Sequence, residues 1–83
     1  MMPMRHVRIY VGSLPGTIAD EHLRALCETH GPVEAAQVIR SRRTGRSLGF
    51  GFVHMATVQD ARKTIEALNG ASLGGETLRC YPA

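Results

Sequence analysis

The sequence contains few aromatic residues and few cysteines. Tryptophan is absent, and two tyrosines and two phenylalanines are the only aromatic side chains among 83 residues. A core must therefore be built mainly from aliphatic side chains, which the chain supplies. The two cysteines, Cys27 and Cys80, are too few for a disulfide scaffold and lack C-x-x-C spacing. Both fall at predicted core positions, so we expect two buried, reduced thiols.

Long apolar segments are also absent. No run approaches the roughly 20 apolar residues that cross a bilayer, and residues 1–5 lack the apolar segment of a secretory signal. We therefore expect no association with a membrane and a cytoplasmic location, or a nuclear location in a eukaryote. With 43% hydrophobic and 20% charged residues, the chain is expected to form one monomeric domain over residues 1–83. It would be either a complete protein or a piece of a longer chain.

Acidic residues are missing from the middle of the chain. The net charge is only +3, but residues 35–59 contain no aspartate or glutamate. The same segment contains four arginines, Arg40, Arg42, Arg43 and Arg46. A concentrated positive charge attracts polyanions such as nucleic acids. The alternative is a solvated loop that arginine keeps soluble, and taken by itself the charge favours this second interpretation.

Two of the aromatic residues lie in one short segment, residues 48–55. In a strand, alternate side chains point to opposite faces, so Phe50 and Phe52 share one face and Val53 and Met55 share the other. Only one of these faces can lie on the core of a small sheet. Burial of the phenylalanines is the ordinary outcome, whereas their exposure would indicate that the rings have a use on the surface.

The periodic segments follow the order strand, helix, strand, strand, helix, strand. Predicted strands cover residues 7–11, 33–40, 48–55 and 76–81, and predicted helices cover residues 18–29 and 58–68. We expect Thr17 and Thr57 to cap the two helices, each with an aspartate three residues later. This order is that of the ferredoxin-like α+β fold, βαββαβ, a four-stranded antiparallel sheet with two helices on one face.

The two helices decide which face of the sheet is buried. They are expected to cover the apolar face, made of Ile9, Val11, Ala36, Val38, Val53, Met55, Leu78 and Cys80. The opposite face would then carry Tyr10, Gln37, Ile39, Phe50, Phe52, His54, Arg79 and Tyr81. The inverted arrangement would bury Arg8, Gln37, His54 and Arg79 beneath the helices. Each of these polar or charged groups would then need a partner, so we predict that the rings lie on the solvent-exposed face.

With these residues in place, the chain resembles the RNA recognition motif family over nearly its whole length. Gly49-Phe50-Gly51-Phe52-Val53 matches the family octamer, K/R-G-F/Y-G/A-F-V-x-F/Y. Residues 9–14 are similar to the family hexamer on the first strand, with Ser13 where asparagine is usual. Octamer, hexamer, element order and spacing together make the resemblance specific.

The chain departs from the family pattern in three respects. Leu48 replaces the basic residue that opens the octamer, and we expect Arg46 or Arg79 to take over its phosphate contact. Met55 replaces the final aromatic residue, at a position that faces the core. Cys27 and His30 occupy positions of the first helix where the family often has phenylalanine. We expect His30 to pack at the helix end rather than to act as a ligand.

The resemblance implies binding of single-stranded RNA, or alternatively single-stranded DNA, on the open sheet face. Bases would stack on Tyr10 and Phe50 while Phe52 contacts sugar, and two or three bases are usual for such a sheet. The arginines of the 40–46 loop would contact phosphates. Tyr81 would either stack a third base or shield the sheet. Groups at the sheet edge would choose the base: Gln37, His54, Arg79 and the backbone of residues 81–83.

Two other functions are compatible with this fold. A protein-interaction domain could use the same sheet or the helical face, although family members of that kind usually lack the sheet aromatics. An enzyme or a metal carrier would need clustered catalytic or ligating groups. His6, His22, His30 and His54 show no ligand spacing, and no nucleophile stands beside a base. We therefore predict no catalytic residue, no metal site and no cofactor.

Overall fold

The structure, a computed structural model, describes residues 7–83. In chain order the elements are β1 (Val7–Gly12), α1 (Asp20–Glu28), β2 (Val33–Arg40), β3 (Ser47–Met55), α2 (Val58–Leu68), β4 (Ser72–Leu73), β5 (Glu76–Thr77) and β6 (Arg79–Pro82). The main sheet is antiparallel with the strand order β2-β3-β1-β6, and β4 pairs with β5 separately. The predicted ferredoxin-like fold is confirmed. Neither helix found in the described residues has the length and apolar character needed to cross a membrane.

The core lies between one face of the main sheet and the two helices. Seven of the eight predicted core positions on the sheet are at most 3% exposed, and the eighth, Ala36, is half-buried. Leu23 and Cys27 of α1, with Ala61 and Leu68 of α2, pack against them. Burial of one aliphatic side chain of this kind stabilises the fold by about 1.5–3 kcal/mol. The phenylalanines lie outside this core cluster.

Both cysteines are free and buried in the core, as predicted. Burial raises the pKa of the Cys27 thiol to about 12, and the neighbouring Cys80 adds to this shift. Burial likewise raises the pKa of Cys80 to about 11. Both thiols are therefore protonated at neutral pH, and the protonated form is a poor nucleophile.

Helix α1 begins two residues later than predicted. Its cap is Ala19 rather than Thr17, because the N–H of Ile18 still donates to the carbonyl of Pro15 in a preceding turn. Nδ1 of His22 accepts the Ala19 N–H at 3.0 Å, in the place of a capping-box glutamate. The expected capping partner, Asp20, lies in the first turn and contacts β2 instead.

Helix α2 has its predicted cap, and its buried face includes one polar residue. The hydroxyl of Thr57 accepts the N–H of Asp60 at 3.0 Å. Val58, in the first turn, is 60% exposed, whereas Thr64 is fully buried beside Ala61 and Leu68. Thr64 can occupy a core position because its hydroxyl donates to the Asp60 carbonyl at 2.8 Å, which satisfies its polar group within the helix.

The predicted fourth strand is divided between two sheets. Residues 76–77 pair with residues 72–73 in a hairpin, and only residues 79–82 join the main sheet. Gly74 and Gly75 both have positive φ, which permits the two-residue hairpin turn that reverses the chain here. Leu78 lies between β5 and β6 and is 2% exposed.

Side chains and loops cover both outer edges of the main sheet. On β2, Asp20 accepts the N–H of Val38 at 2.8 Å, and Arg24 donates to the carbonyl of Val33 at 2.8 Å. On β6, Oδ1 of Asn69 accepts the N–H of Cys80 at 3.1 Å. Exposed backbone groups on an edge strand invite pairing with another chain, so these contacts reduce edge-to-edge association.

Candidate nucleic-acid interface

The sheet face away from the helices carries three aromatic residues near its centre. Tyr10 of β1 lies opposite Phe52 of β3 and Tyr81 of β6, and Gly12 lies opposite Phe50. Tyr10 and Phe52 therefore share one row across the sheet, and Phe50 belongs to the next row. These three rings are half-buried, while Tyr81 is 47% exposed. Their position on this face agrees with the prediction from alternation.

The four rings of Tyr10, Phe50, Phe52 and Tyr81 pack into one group, here called the aromatic cluster. The ring centroid of Tyr10 lies 5.7 Å from that of Phe50, with 27° between the planes, and 5.9 Å from that of Phe52. Phe50 and Phe52 meet edge to face at 6.0 Å. Such pairs contribute about 0.5–1.5 kcal/mol each beyond their burial. The rings therefore hold one another in position on the surface.

Tyr81 makes the closest ring contact in the cluster. It stacks on Tyr10 with a centroid distance of 4.6 Å and an angle of 20° between the planes. This contact corresponds to the shielding role considered for Tyr81. Stacking of a third base on Tyr81 stays a prediction.

Two glycines permit this arrangement by lacking a side chain. A Cβ atom on Gly12 would lie 2.6 Å from Cε2 of Tyr10, because the Tyr10 ring lies across the glycine. On the core face, a Cβ atom on Gly51 would lie 3.0 Å from Cδ2 of Leu23 and would also overlap the carbonyl oxygen of Gln37. The first glycine allows the tyrosine to lie over its own strand, and the second allows α1 to approach β3.

Arg8 belongs to the same surface, although it was absent from the predicted site. It lies opposite His54 in the register of β1 and β3, in the row next to Tyr10 and Phe52. Its Cζ atom lies 4.1 Å from the centroid of the Phe52 ring, a cation–π contact. The available signal was its spacing of two residues from Tyr10, which places both side chains on one face of a strand.

A small cleft of about 150 Å³ opens beside Phe52 and is here called the Arg8 cleft. Strands β1, β3 and β2 all contribute to it. Gln37 of β2, which lies opposite Phe52, is one of the residues that line it. The principal side chains around it are Arg8, Gln37, Ile39, Phe52 and His54. The structure thus brings two predicted base-contacting residues, Gln37 and His54, to one place.

The arginine-rich loop folds on its own backbone. The N–H of Ser41 donates to the carbonyl of Arg46 at 2.8 Å, and the Arg40 guanidinium donates to the carbonyl of Gly45 at 3.3 Å. Arg42, Arg43 and Arg46 are exposed, and within residues 7–83 their side chains form no hydrogen bond or ion pair. Three guanidinium groups are therefore available to an external anion.

Arg79 and the arginine loop lie at the same end of the sheet. Arg79 is opposite Gly12, which is in turn opposite Phe50, while the loop joins β2 to β3 just before Phe50. The other predicted polar residues lie along Phe52, away from this end. Leu48, at the position where the family has a basic residue, is 53% exposed and supplies no charge.

The described histidines, His22, His30 and His54, do not assemble a metal site. Within residues 7–83, no three histidine, cysteine, aspartate or glutamate side chains are grouped closely enough to hold a metal ion. His22 contributes to the start of α1, and His30 is half-buried just after its end. His6, which the sequence analysis also considered, lies outside the described residues.

Comparisons with known proteins agree on one family. The family pattern described as RNA recognition motif matches residues 9–79. Over 76 residues the chain is 43% identical to the chloroplastic 28 kDa ribonucleoprotein of Spinacia oleracea. The matched segment covers 92% of this chain and 33% of that protein. The crystal structure of RNA binding protein PG1 is 43% identical, with a TM-score of 0.89 and 93% of each chain covered. A structure of the Sxl-lethal protein/RNA complex is 30% identical, with a TM-score of 0.87, covering 93% of this chain and 47% of that one.

The curated relatives correct the predicted location. The chain spans about a quarter to a third of their length, and two of them, from Spinacia oleracea and Nicotiana sylvestris, are chloroplastic ribonucleoproteins. The location of these relatives contradicts the expectation of a cytoplasmic or nuclear location. The expectation rested on the lack of an apolar leader, but chloroplast transit peptides are amphipathic rather than apolar. That lack therefore does not exclude a plastid.

Proposed function

Because the chain belongs to the RNA recognition motif family, we propose that it binds single-stranded RNA on the open face of its main sheet. The family is RNA-binding and non-enzymatic, which confirms the prediction that the chain is not an enzyme. The observation that best supports the binding face is the aromatic cluster, which lies away from the helices. Flat, accessible rings in this position offer stacking surfaces for splayed bases.

Each ring of the cluster has a separate role in this proposal. Tyr10 and Phe50 take one base each, and Phe52 contacts the sugar between neighbouring nucleotides. Each stacked base contributes about 1–3 kcal/mol of binding free energy. Since Tyr81 stacks on Tyr10, binding of a base at Tyr10 is expected to reposition the Tyr81 ring. Tyr81 then either stacks a further base or returns when the RNA leaves.

The exposed arginines supply the phosphate contacts. Arg42, Arg43 and Arg46 have no competing partner within the described residues, and Arg79 extends their charge along the same end of the sheet. Arg40 joins them only by releasing its hydrogen bond to Gly45. Phosphate neutralisation releases counterions, so affinity is expected to decrease as salt concentration increases.

Single-stranded DNA is expected to bind on the same face. Stacking and phosphate contacts do not require the 2′-hydroxyl group that distinguishes RNA from DNA. A competition titration with RNA and DNA of identical sequence measures the contribution of that hydroxyl. Tighter binding of RNA would assign it a contact, and equal affinity would assign recognition to the rings and arginines.

The proposal includes one monomeric domain over residues 1–83. Contacts along both outer strands, from Asp20 to β2 and from Asn69 to β6, support a monomer because they occupy edge groups that could pair with a second copy. Sedimentation or light scattering measures the mass directly. A dimer at micromolar concentration would contradict this part of the proposal.

Fluorescence titration with a short, unstructured RNA tests the binding face. Tyr10→Ala and Phe50→Ala are each expected to weaken binding roughly 5- to 150-fold, because each removes one stacking surface worth about 1–3 kcal/mol. Val58→Ala is the matched control, since Val58 is an exposed apolar residue on α2. Wild-type affinity in both ring variants, with the fold intact, would refute base stacking on the aromatic cluster. If the chain is instead a protein-interaction domain, the wild-type protein should not bind an oligonucleotide pool.

A further inference from the structure

The arginine-rich loop presents a hydroxyl group that RNA binding does not use. Thr44 lies between Arg43 and Gly45 near the tip of the loop, and it is exposed. Its Oγ1 atom accepts the N–H of Arg46 at 3.2 Å, and within residues 7–83 its own proton donates to no other group. The hydroxyl oxygen of Thr44 is therefore accessible to a reagent from solvent.

The two other hydroxyl groups of this segment are held more firmly. Oγ of Ser41 accepts the backbone N–H groups of Arg43 and Thr44 at 3.2 and 3.3 Å. Oγ of Ser47, in β3, accepts the N–H of Gly49 at 3.0 Å. Both serines are half-buried, so the hydroxyl of Thr44 is the most accessible one in the loop.

The charge around Thr44 is entirely positive. Three arginines lie four, two and one positions before it, and a fourth lies two positions after it. In chain order they are Arg40, Arg42, Arg43 and Arg46. Protein kinases select their substrates partly by charge pattern, and arginines before a hydroxyl suit a kinase whose substrate-binding surface is acidic. The same arginines suit the product, because a phosphate beside an arginine cluster forms charge-assisted hydrogen bonds.

We propose that Thr44 is a phosphorylation site, and that its phosphate occupies the arginines that otherwise contact RNA. In the transfer, Oγ1 of Thr44 attacks the γ-phosphorus of ATP, the bond from that phosphorus to the β–γ bridging oxygen breaks, and ADP leaves. The hydroxyl proton passes to the catalytic aspartate of the kinase. The inference rests on the proposed function and adds regulation to it, since the modified loop carries its own anion.

The expected effect on RNA binding follows from the charge of the phosphate. A phosphothreonine carries about −1.5 to −2 charges at pH 7, so it neutralises about two of the four loop arginines. Loss of two phosphate contacts to a single strand decreases the slope of log affinity against log salt by about 1.4. Over a tenfold range of salt this slope amounts to about 25-fold. Phosphorylation should therefore weaken RNA binding roughly 25-fold at about 0.1 M salt, and the difference should disappear at about 1 M.

Incubation of the intact protein with ATP and a panel of purified serine/threonine kinases that select arginine before the hydroxyl tests the site. Mass spectrometry of the intact and fragmented protein is expected to find one phosphate, on Thr44. Thr44→Ser keeps a hydroxyl and should be modified, whereas Thr44→Ala should not. Lack of incorporation with every kinase, or equal incorporation in Thr44→Ala and wild type, would overturn the site.

The regulatory effect is measured on protein that carries a phosphate on Thr44, with fluorescence titration of a uridine octamer at several salt concentrations. Thr44→Glu adds one negative charge at the same place and should decrease the salt slope by about 0.7. Gln59→Glu is the matched control, because it adds the same charge on the exposed surface of α2 and should leave the slope unchanged. Thermal denaturation verifies that each protein is folded.

The possible results separate this regulation from the proposed function. Phosphorylated protein that binds the octamer as tightly as unmodified protein would overturn the regulation and leave the proposed function intact. Equal changes in Thr44→Glu and Gln59→Glu would also overturn it, because net charge rather than the loop arginines would then be responsible. Failure of the unmodified protein to bind the octamer would overturn the proposed function, while phosphate incorporation would still report on the site itself.

Discussion

Addition of one methyl group at Gly12 is expected to disable Tyr10 without removing it. In Gly12→Ala the new Cβ would lie 2.6–2.7 Å from the Tyr10 ring, so the ring must leave the position in which it stacks on Phe50 and Tyr81. Loss of two ring pairs at about 0.5–1.5 kcal/mol each is partly offset by the better strand propensity of alanine. The free energy of unfolding should therefore decrease by only about 0–2.5 kcal/mol.

The effect of this substitution on RNA binding should be larger than its effect on stability. Loss of one stacked base, about 1–3 kcal/mol, weakens binding roughly 5- to 150-fold. Fluorescence anisotropy measures the affinity, and urea denaturation of the same samples measures the stability. Gly16→Ala is the control, because a Cβ there meets no atom within 4 Å. Affinity within twofold of wild type in folded Gly12→Ala would refute a role for the Tyr10 ring position.

Three further perturbations test the fold and the charge. Asn69→Ala removes the acceptor of the Cys80 N–H, so the free energy of unfolding in urea should decrease by about 1–3 kcal/mol. Arg43→Ala should reduce the slope of log affinity against log salt by about 0.7, the value for one phosphate on a single strand. Burial raises the pKa of both thiols, from about 9 to about 12 for Cys27 and about 11 for Cys80. The contribution of the buried thiols to stability is therefore complete below pH 9 and decreases as pH rises toward the folded pKa values. Between pH 9 and pH 11, the urea midpoint should fall less in Cys27→Ala than in the wild-type protein.

Matched variants distinguish these mechanisms from general effects. Asn69→Asp keeps an oxygen acceptor and should retain most of the stability, so an equal loss in both variants would contradict the hydrogen bond. Lys63→Ala removes the same charge from exposed α2, and an equal change in salt slope would mean that only net charge matters. Identical pH dependence of stability in Cys27→Ala and the wild type would contradict the role of the buried thiol.

Alternation of residue types was sufficient to predict the faces of the sheet. Val53 and Met55 are fully buried while Phe50 and Phe52 are not. Both helices pack on one face of the sheet, and only one of the two alternating sets of side chains is apolar enough to form that face. The start of α1 was not predictable in the same way. Thr17 has a suitable capping oxygen, but the turn before the helix and the contact of Asp20 with β2 set the start of the helix at Ala19.

Contacts that depend on strand register were beyond the reach of sequence patterns. Alternation places Arg8 and Phe52 on one face, but only the pairing of β1 with β3 brings the guanidinium over the ring. The stack of Tyr81 on Tyr10 likewise depends on the pairing of β1 with β6. These two contacts shape the candidate site, and each joins residues far apart in the sequence.

The most direct measurement is an NMR titration of the wild-type protein with a short single-stranded RNA, observed at the aromatic ring signals. Signals of Tyr10, Phe50 and Phe52 are predicted to shift over the same range of RNA concentration, because bases stack on or beside these rings. Signals of Val58 and Lys63 on α2 should remain in place. Shifts confined to the helices, or unchanged ring signals at saturating RNA, would contradict binding on the open face of the sheet.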